Sequence, residues 1–278
     1  MHDQTSIQVK DIGELSGPLL LFGGVYSNLQ ALEQMMAIAK EQGFQPEQII
    51  CTGDVVGYCA RPEEVVQAIR DWGVHCIAGN VELQLRDGEE DCGCDFNDGS
   101  RCDIFSRQWY PYAQSVLSKE AIEWMHALPH HIVFRYAGLR ARVVHGSVDQ
   151  VSGYVFHSTP WSEKNDQLQK GEADLIIGGH CGLPFNHTKE SKYWLNPGVI
   201  GMPANDATTR VWYMTLNDKN GLHFTHHSFD YDHNVAATQM REKRLPEAYA
   251  LTLETGLWDN CEILPEQETA AQGERIDL

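Results

Sequence analysis

The chain has 278 residues, 42% of them hydrophobic and 22% charged, an ordinary globular composition that excludes wholesale disorder. A formal net charge of −18 gives a surface that repels polyanions, so nucleic acid is not the expected partner. A small phosphorylated substrate or ligand stays open, because a metal ion supplies local positive charge whatever the overall balance.

Met1 to Gly17 is polar, without a basic start and apolar run, and no stretch of about eighteen apolar residues follows. The expectation is a cytoplasmic protein without a membrane partner, whose eight cysteines are reduced. Leu19 to Phe22 reads as a short buried strand ending in Gly23-Gly24, followed by a helix with Leu29, Leu32, Met36 and Ala39 on one face. The unit recurs: Ile49 to Cys51 runs into Gly53-Asp54, and Pro62 opens a helix with Val65, Ile69 and Trp72 aligned. Val74 to Ala78 then reaches Gly79-Asn80. Strands alternating with helices imply a parallel sheet whose functional groups gather at strand C-terminal ends.

After a cysteine-rich insertion at 86–103 and a helix near Ser118 to Leu128, the pattern turns to strands. These are His131 to Phe134, Arg142 to Val144, Asp174 to Ile177, Tyr193 to Leu195, Val211 to Leu216 and Leu222 to Phe229. A helical stretch from Val235 to Thr255 is interrupted by Pro246. Without a repeat or linker, residues 1–265 read as one domain, and 266–278, poor in apolar residues, as a disordered tail.

Five segments at predicted strand ends carry the chemistry: Gly23 to Asn28, Gly53-Asp54, Gly79-Asn80-Val81-Glu82, His145-Gly146, and Gly178-Gly179-His180-Cys181-Gly182. In order and spacing this set resembles the calcineurin-like metallophosphoesterase superfamily, in its bacterial, diadenosine-tetraphosphatase-like branch. The resemblance covers roughly Leu19 to Leu264, including Asn196-Pro197-Gly198. It implies an α/β sandwich of two mixed β-sheets flanked by helices, and two metal ions held beside a phosphate.

The departures are as informative as the matches. Where that family has Asp, His and His for its first metal, this chain has Gly24, Tyr26 and Gly182. The second set is kept: Asp54, Asn80, His145 and His180 match a bridging carboxylate, an amide and two imidazoles. Such a donor set suits Mn²⁺, Fe²⁺ or Zn²⁺ with open positions for water or phosphate, and one or two ions per chain are expected. Val81 stands where the family has a His that assists turnover. Glu82 beside it is a candidate proton donor or ligand if its pKa is raised, and otherwise an exposed, solvated carboxylate.

Cys92, Cys94 and Cys102 form a cluster in the insertion, with Asp95, Asp103 or a histidine as a fourth donor. Three readings stand equal: a structural zinc clip, replacement ligands for the missing first metal, or a redox-active thiol set. Cys59 and Cys181 neighbour the motifs and either complete a centre or simply pack. Trp109, Tyr110 and Tyr112 are pocket wall or core, and His157, Trp161 and Lys164 are within range of a substrate phosphate or simply solvated. The leading expectation is hydrolysis of a small phosphate mono- or diester through one ion. The alternatives are a non-catalytic binder of metal or phospho-ligand, and a rebuilt cysteine-containing centre with other chemistry.

Overall fold

The computed structural model describes residues 7–94 and 99–278. Asp95 of the proposed cysteine site lies outside the described residues. The strands, in chain order, are Val9–Glu14 (β1), Leu19–Phe22 (β2), Ile49–Cys51 (β3), His75–Cys76 (β4), His131–Tyr136 (β5), Leu139–Val143 (β6), Leu175–Ile177 (β7), Phe185–Lys189 (β8), Lys192–Asn196 (β9), Val211–Asn217 (β10) and His223–Phe229 (β11). They form two mixed sheets, one ordered β1-β5-β6-β7-β9-β8 and the other β11-β10-β2-β3-β4.

Residue alternation decides which side each strand serves. Leu19 and Leu21 of β2 point between the sheets, where they meet Ile50, Ile132, Phe134, Val143, Leu175 and Ile177. Leu20 and Phe22 point the other way, under the helices Leu29–Glu41 (α1), Pro62–Trp72 (α2), Asn80–Asp87 (α3), Arg101–Val116 (α4), Lys119–Ala127 (α5), His233–Glu242 (α7) and Glu247–Thr255 (α8). Trp161–Lys170 (α6) covers the far sheet through Leu168, against Ile176 and Trp194. Strand β2 is buried on both faces, each of its side chains contributing about 1.5–3 kcal/mol of burial, which is why it reads as a continuous apolar run.

The strands that the sequence pattern does not reveal, β1 and β8, are the two edges of the larger sheet. Val9–Glu14 is mostly solvent-exposed, so it carries no hydrophobic period, and backbone pairing with β5 makes it a strand. The insertion is also shorter than expected, because Cys102 already lies in the first turn of α4, capped by Ser100. A second correction concerns 266–278. Glu266–Ala270 (α9) is helical, its Glu268 carboxylate accepts from the Ser158 amide and hydroxyl, and the Gly273 and Ile276 amides donate to Asn205 and Asp206. The tail is held by polar bonds, which apolar content does not register. Among the described residues no helix is long and apolar enough to cross a membrane.

Candidate metal centre

The five motifs converge because β2, β3 and β4 run parallel in one sheet, β6 and β7 run parallel in the other, and all release their loops at the same end. The loops are sewn together by main-chain bonds. Gly24 and Tyr26 amides donate to Gly53 and Asp54 carbonyls at 3.1 Å, and the Gly179 amide to the His145 carbonyl at 2.7 Å. Tyr26, Asp54 and His180 have φ values of 52°, 53° and 59°, a left-handed conformation that costs a non-glycine residue about 1–3 kcal/mol. Asn196 steadies the last loop by donating to the Gly179 carbonyl and to Cys181 Sγ.

At the centre, Asp54 Oδ2, Asn80 Oδ1 and His180 Nδ1 lie 3.2, 3.1 and 3.1 Å from His145 Nε2. The other ring nitrogen of His145 is 2.8 Å from the Thr52 carbonyl, which can only accept, so Nδ1 carries a proton and Nε2 is the atom turned toward the other three residues. Asn80 is fixed in the same sense: its amide nitrogen donates to the Cys92 carbonyl at 2.8 Å and to Cys94 Sγ at 3.2 Å, which turns Oδ1 inward. Four potential ligand atoms therefore face one point, and Asp54 Oδ1 is buried with no hydrogen-bond partner. A cation is the group that such a donor set fits. Burial, then the neighbouring His145, holds His180 down to about 3, keeping it neutral as a ligand must be. For His145 burial opposes charging, but the Asp54 carboxylate outweighs it and the net shift is upward. Asp54, His145 and His180 form the group of potential ligands found among the described residues, their donor atoms within 4.8 Å of one another.

Glu82 is neither exposed nor aimed at this point. It is fully buried, with Oε2 accepting from the Asp54 and Gly79 amides and Oε1 from the Val56 amide, each at 2.9 Å. Burial, then Asp54, lifts it to about 7, yet both oxygens are committed to the backbone, so the residue clamps the Asp54 and Asn80 loops together. Lys164 is corrected in the same way: fully buried, it donates to the His157 and Thr159 carbonyls, sits 3.1 Å from His187 Nδ1, and tethers the approach to α6. Trp109 and Tyr110 are core, and Tyr112 donates to the Ala60 carbonyl.

The Cys92 and Cys94 thiols lie within hydrogen-bonding reach of each other, but among the described residues no third Cys, His or carboxylate joins them at metal-ligand spacing. The insertion's contribution to the centre is the Cys92 backbone carbonyl, together with Cys94 Sγ, holding Asn80. Cys59 is core, and Cys181 is buried with its thiol pushed up to about 12 by burial.

The missing half of the site is filled. A Cβ at Gly24 would lie 2.4 Å from Val199 Cγ1 and 2.8 Å from Tyr26 Cζ, so the phenol and Val199 occupy the space of a side chain at position 24. A Cβ at Gly182 would lie 3.3 Å from the Trp258 ring, which is anchored by Nε1 to the Pro203 carbonyl and by its amide to Asn205. Above Asp54 and His180 opens a cavity of about 80 Å³ walled by Tyr26, Tyr58, Tyr154, Tyr249 and Trp258, with Cys94 and Cys102 at its side. Tyr154 lies against the His180 ring, centroids 4.4 Å apart and planes tilted by 32°. Apart from Tyr26, sequence reasoning missed these aromatic walls, which come from segments that carry no motif.

Residues 20–219 match the sequence model described as the calcineurin-like phosphoesterase superfamily domain. An uncharacterized protein of Methanocaldococcus jannaschii is 26% identical over 246 residues, 82% of this chain and 94% of that protein. Among solved structures, a metallophosphoesterase from Sphaerobacter thermophilus is similar with a TM-score of 0.69 and 22% identity, over 87% of this chain and 100% of that one. A hypothetical protein from Pyrococcus horikoshii is similar with a TM-score of 0.74 and 19% identity, over 87% of this chain and 99% of that one. These two likenesses are of fold.

Proposed function

The chain belongs to the calcineurin-like phosphoesterase superfamily, and from that premise we propose that it hydrolyses a small phosphate mono- or diester with one divalent transition ion, Mn²⁺, Fe²⁺ or Zn²⁺. The observation that carries this reading is the convergence of Asp54, Asn80 and His180 on Nε2 of His145. When bound there, the ion supplies Lewis acidity to a phosphoryl oxygen and acidifies water.

The chain's own residues do the rest. Thr52 fixes the His145 tautomer, the Cys92 carbonyl fixes the Asn80 amide, and Glu82 holds the two loops that carry Asp54 and Asn80. The aromatic walls exclude bulk water from the Asp54 side of the cavity, which strengthens every electrostatic contact inside it. With no counterpart of the assisting histidine at Val81, a substrate whose leaving group needs little protonation is favoured. The filled first half supports a second reading, binding of metal or phospho-ligand without turnover.

Turnover of bis(p-nitrophenyl) phosphate by metal-stripped protein, assayed after adding back each ion, separates the two. Hydrolysis restored by one of the ions in the wild type and absent in Asp54→Asn is the expected result. An ion that binds tightly with no hydrolysis of any phosphate ester establishes the binding-only reading instead.

A further inference from the structure

Tyr26, Tyr58, Tyr154 and Tyr249 all line the cavity above Asp54 and His180, and among the described residues none of their hydroxyls has a hydrogen-bond partner. Other core tyrosines behave differently: Tyr110, Tyr136 and Tyr231 all pair their hydroxyls. Buried or half-buried phenols ordinarily find a partner, so four unpartnered ones around one space point to a ligand that supplies acceptors.

Tyr26 is the most constrained of the four. It is only 5% exposed, and its backbone is held in the left-handed region at φ 52°. Its ring fits because two neighbours lack side chains: a Cβ at Gly24 would lie 2.8 Å from Tyr26 Cζ, and one at Gly57 would lie 2.9 Å from Cδ1. The carbon that bears the hydroxyl thus stands where a ligand from position 24 would project. Among the described residues no Lys or Arg lines the cavity, so no side-chain cation substitutes for the missing ion.

We infer that the phenol hydroxyls, Tyr26 foremost, take the place of the absent first ion by donating hydrogen bonds to the phosphoryl oxygens of a bound phosphodiester. Neutral donors suit the single negative charge of a diester, and the aromatic walls suit an apolar or aromatic ester group. This inference rests on the proposed single-ion phosphoesterase reading and assigns its substrate class.

The test is calorimetric titration of ion-loaded protein with diphenyl phosphate, accompanied by elemental analysis and melting temperature. Tyr26→Phe keeps the ring and removes only the donor. The expected result is unchanged ion content and melting temperature with affinity weakened roughly tenfold or more, as loss of a hydrogen bond to a charged group implies. Tyr249→Phe, whose ring packs on Tyr58, is expected to weaken binding several-fold on its own. Equal affinity in wild type and both variants overturns the inference while leaving the single-ion reading intact. Wild type that carries no ion and binds no diester overturns both.

Discussion

On one side of the cavity, Asp54, Asn80, His145 and His180 bring four potential ligand atoms to one point, with Asn80 and His145 held by backbone carbonyls. On the other, Tyr26, Val199 and Trp258 occupy the space from which three further ligands would project. Mere decay of the second half would leave a hole. Instead Gly24 is required by what has packed against it, and Gly182 by its left-handed backbone at φ 77° with the Trp258 ring close by. The lesson is that a lost ligand set is read from its replacements as much as from its absences.

The largest expected effect sharpens the retained half. Asp54→Asn or His145→Ala should lower ion affinity by more than the roughly 10–100-fold that loss of an outer-shell partner costs, and should abolish turnover, as elemental analysis and assay would record. Retained metal in either variant would show that these residues do not hold the ion. Next is Glu82→Ala, which strands three buried amides and should destabilise the fold by at least about 3 kcal/mol in urea titration. A loss below about 1 kcal/mol would mean that the clamp is dispensable.

Gly24→Asp tests the replaced half. The new side chain meets Val199 and Tyr26 at a left-handed position, so a cost of about 1–3 kcal/mol is expected with no gain of a second ion. A second ion bound by this variant would show the space to be available after all. The smallest effect is expected from Cys92→Ser and Cys102→Ser. Asn80 is held chiefly by the Cys92 carbonyl, so ion content should not change in either, and the half-buried Cys102 site should shift stability by no more than about 0.5 kcal/mol.

Much of this was legible in the sequence, for a physical reason. The ligands sit two to four residues beyond short strands, so a local pattern of strand, glycine and polar residue marks them. What escaped was non-local or backbone-borne. Tyr58, Tyr154, Tyr249 and Trp258 reach the cavity from segments without a motif. Glu82 looks like an active-site acid by position, and only its three amide donors reveal a clamp. In the insertion the thiols drew attention, while the group that orients Asn80 most closely is a main-chain carbonyl, which every residue possesses. The edge strands β1 and β8 were hidden because exposed edges carry no apolar period.

The most direct test is the count of ions in freshly purified, tag-free protein by plasma mass spectrometry, in wild type beside His145→Ala and Cys92→Ser. One Mn, Fe or Zn per chain, kept in Cys92→Ser and lost in His145→Ala, is the result that a single centre beside a filled one predicts. Two ions per chain, one of them lost in Cys92→Ser, would contradict it.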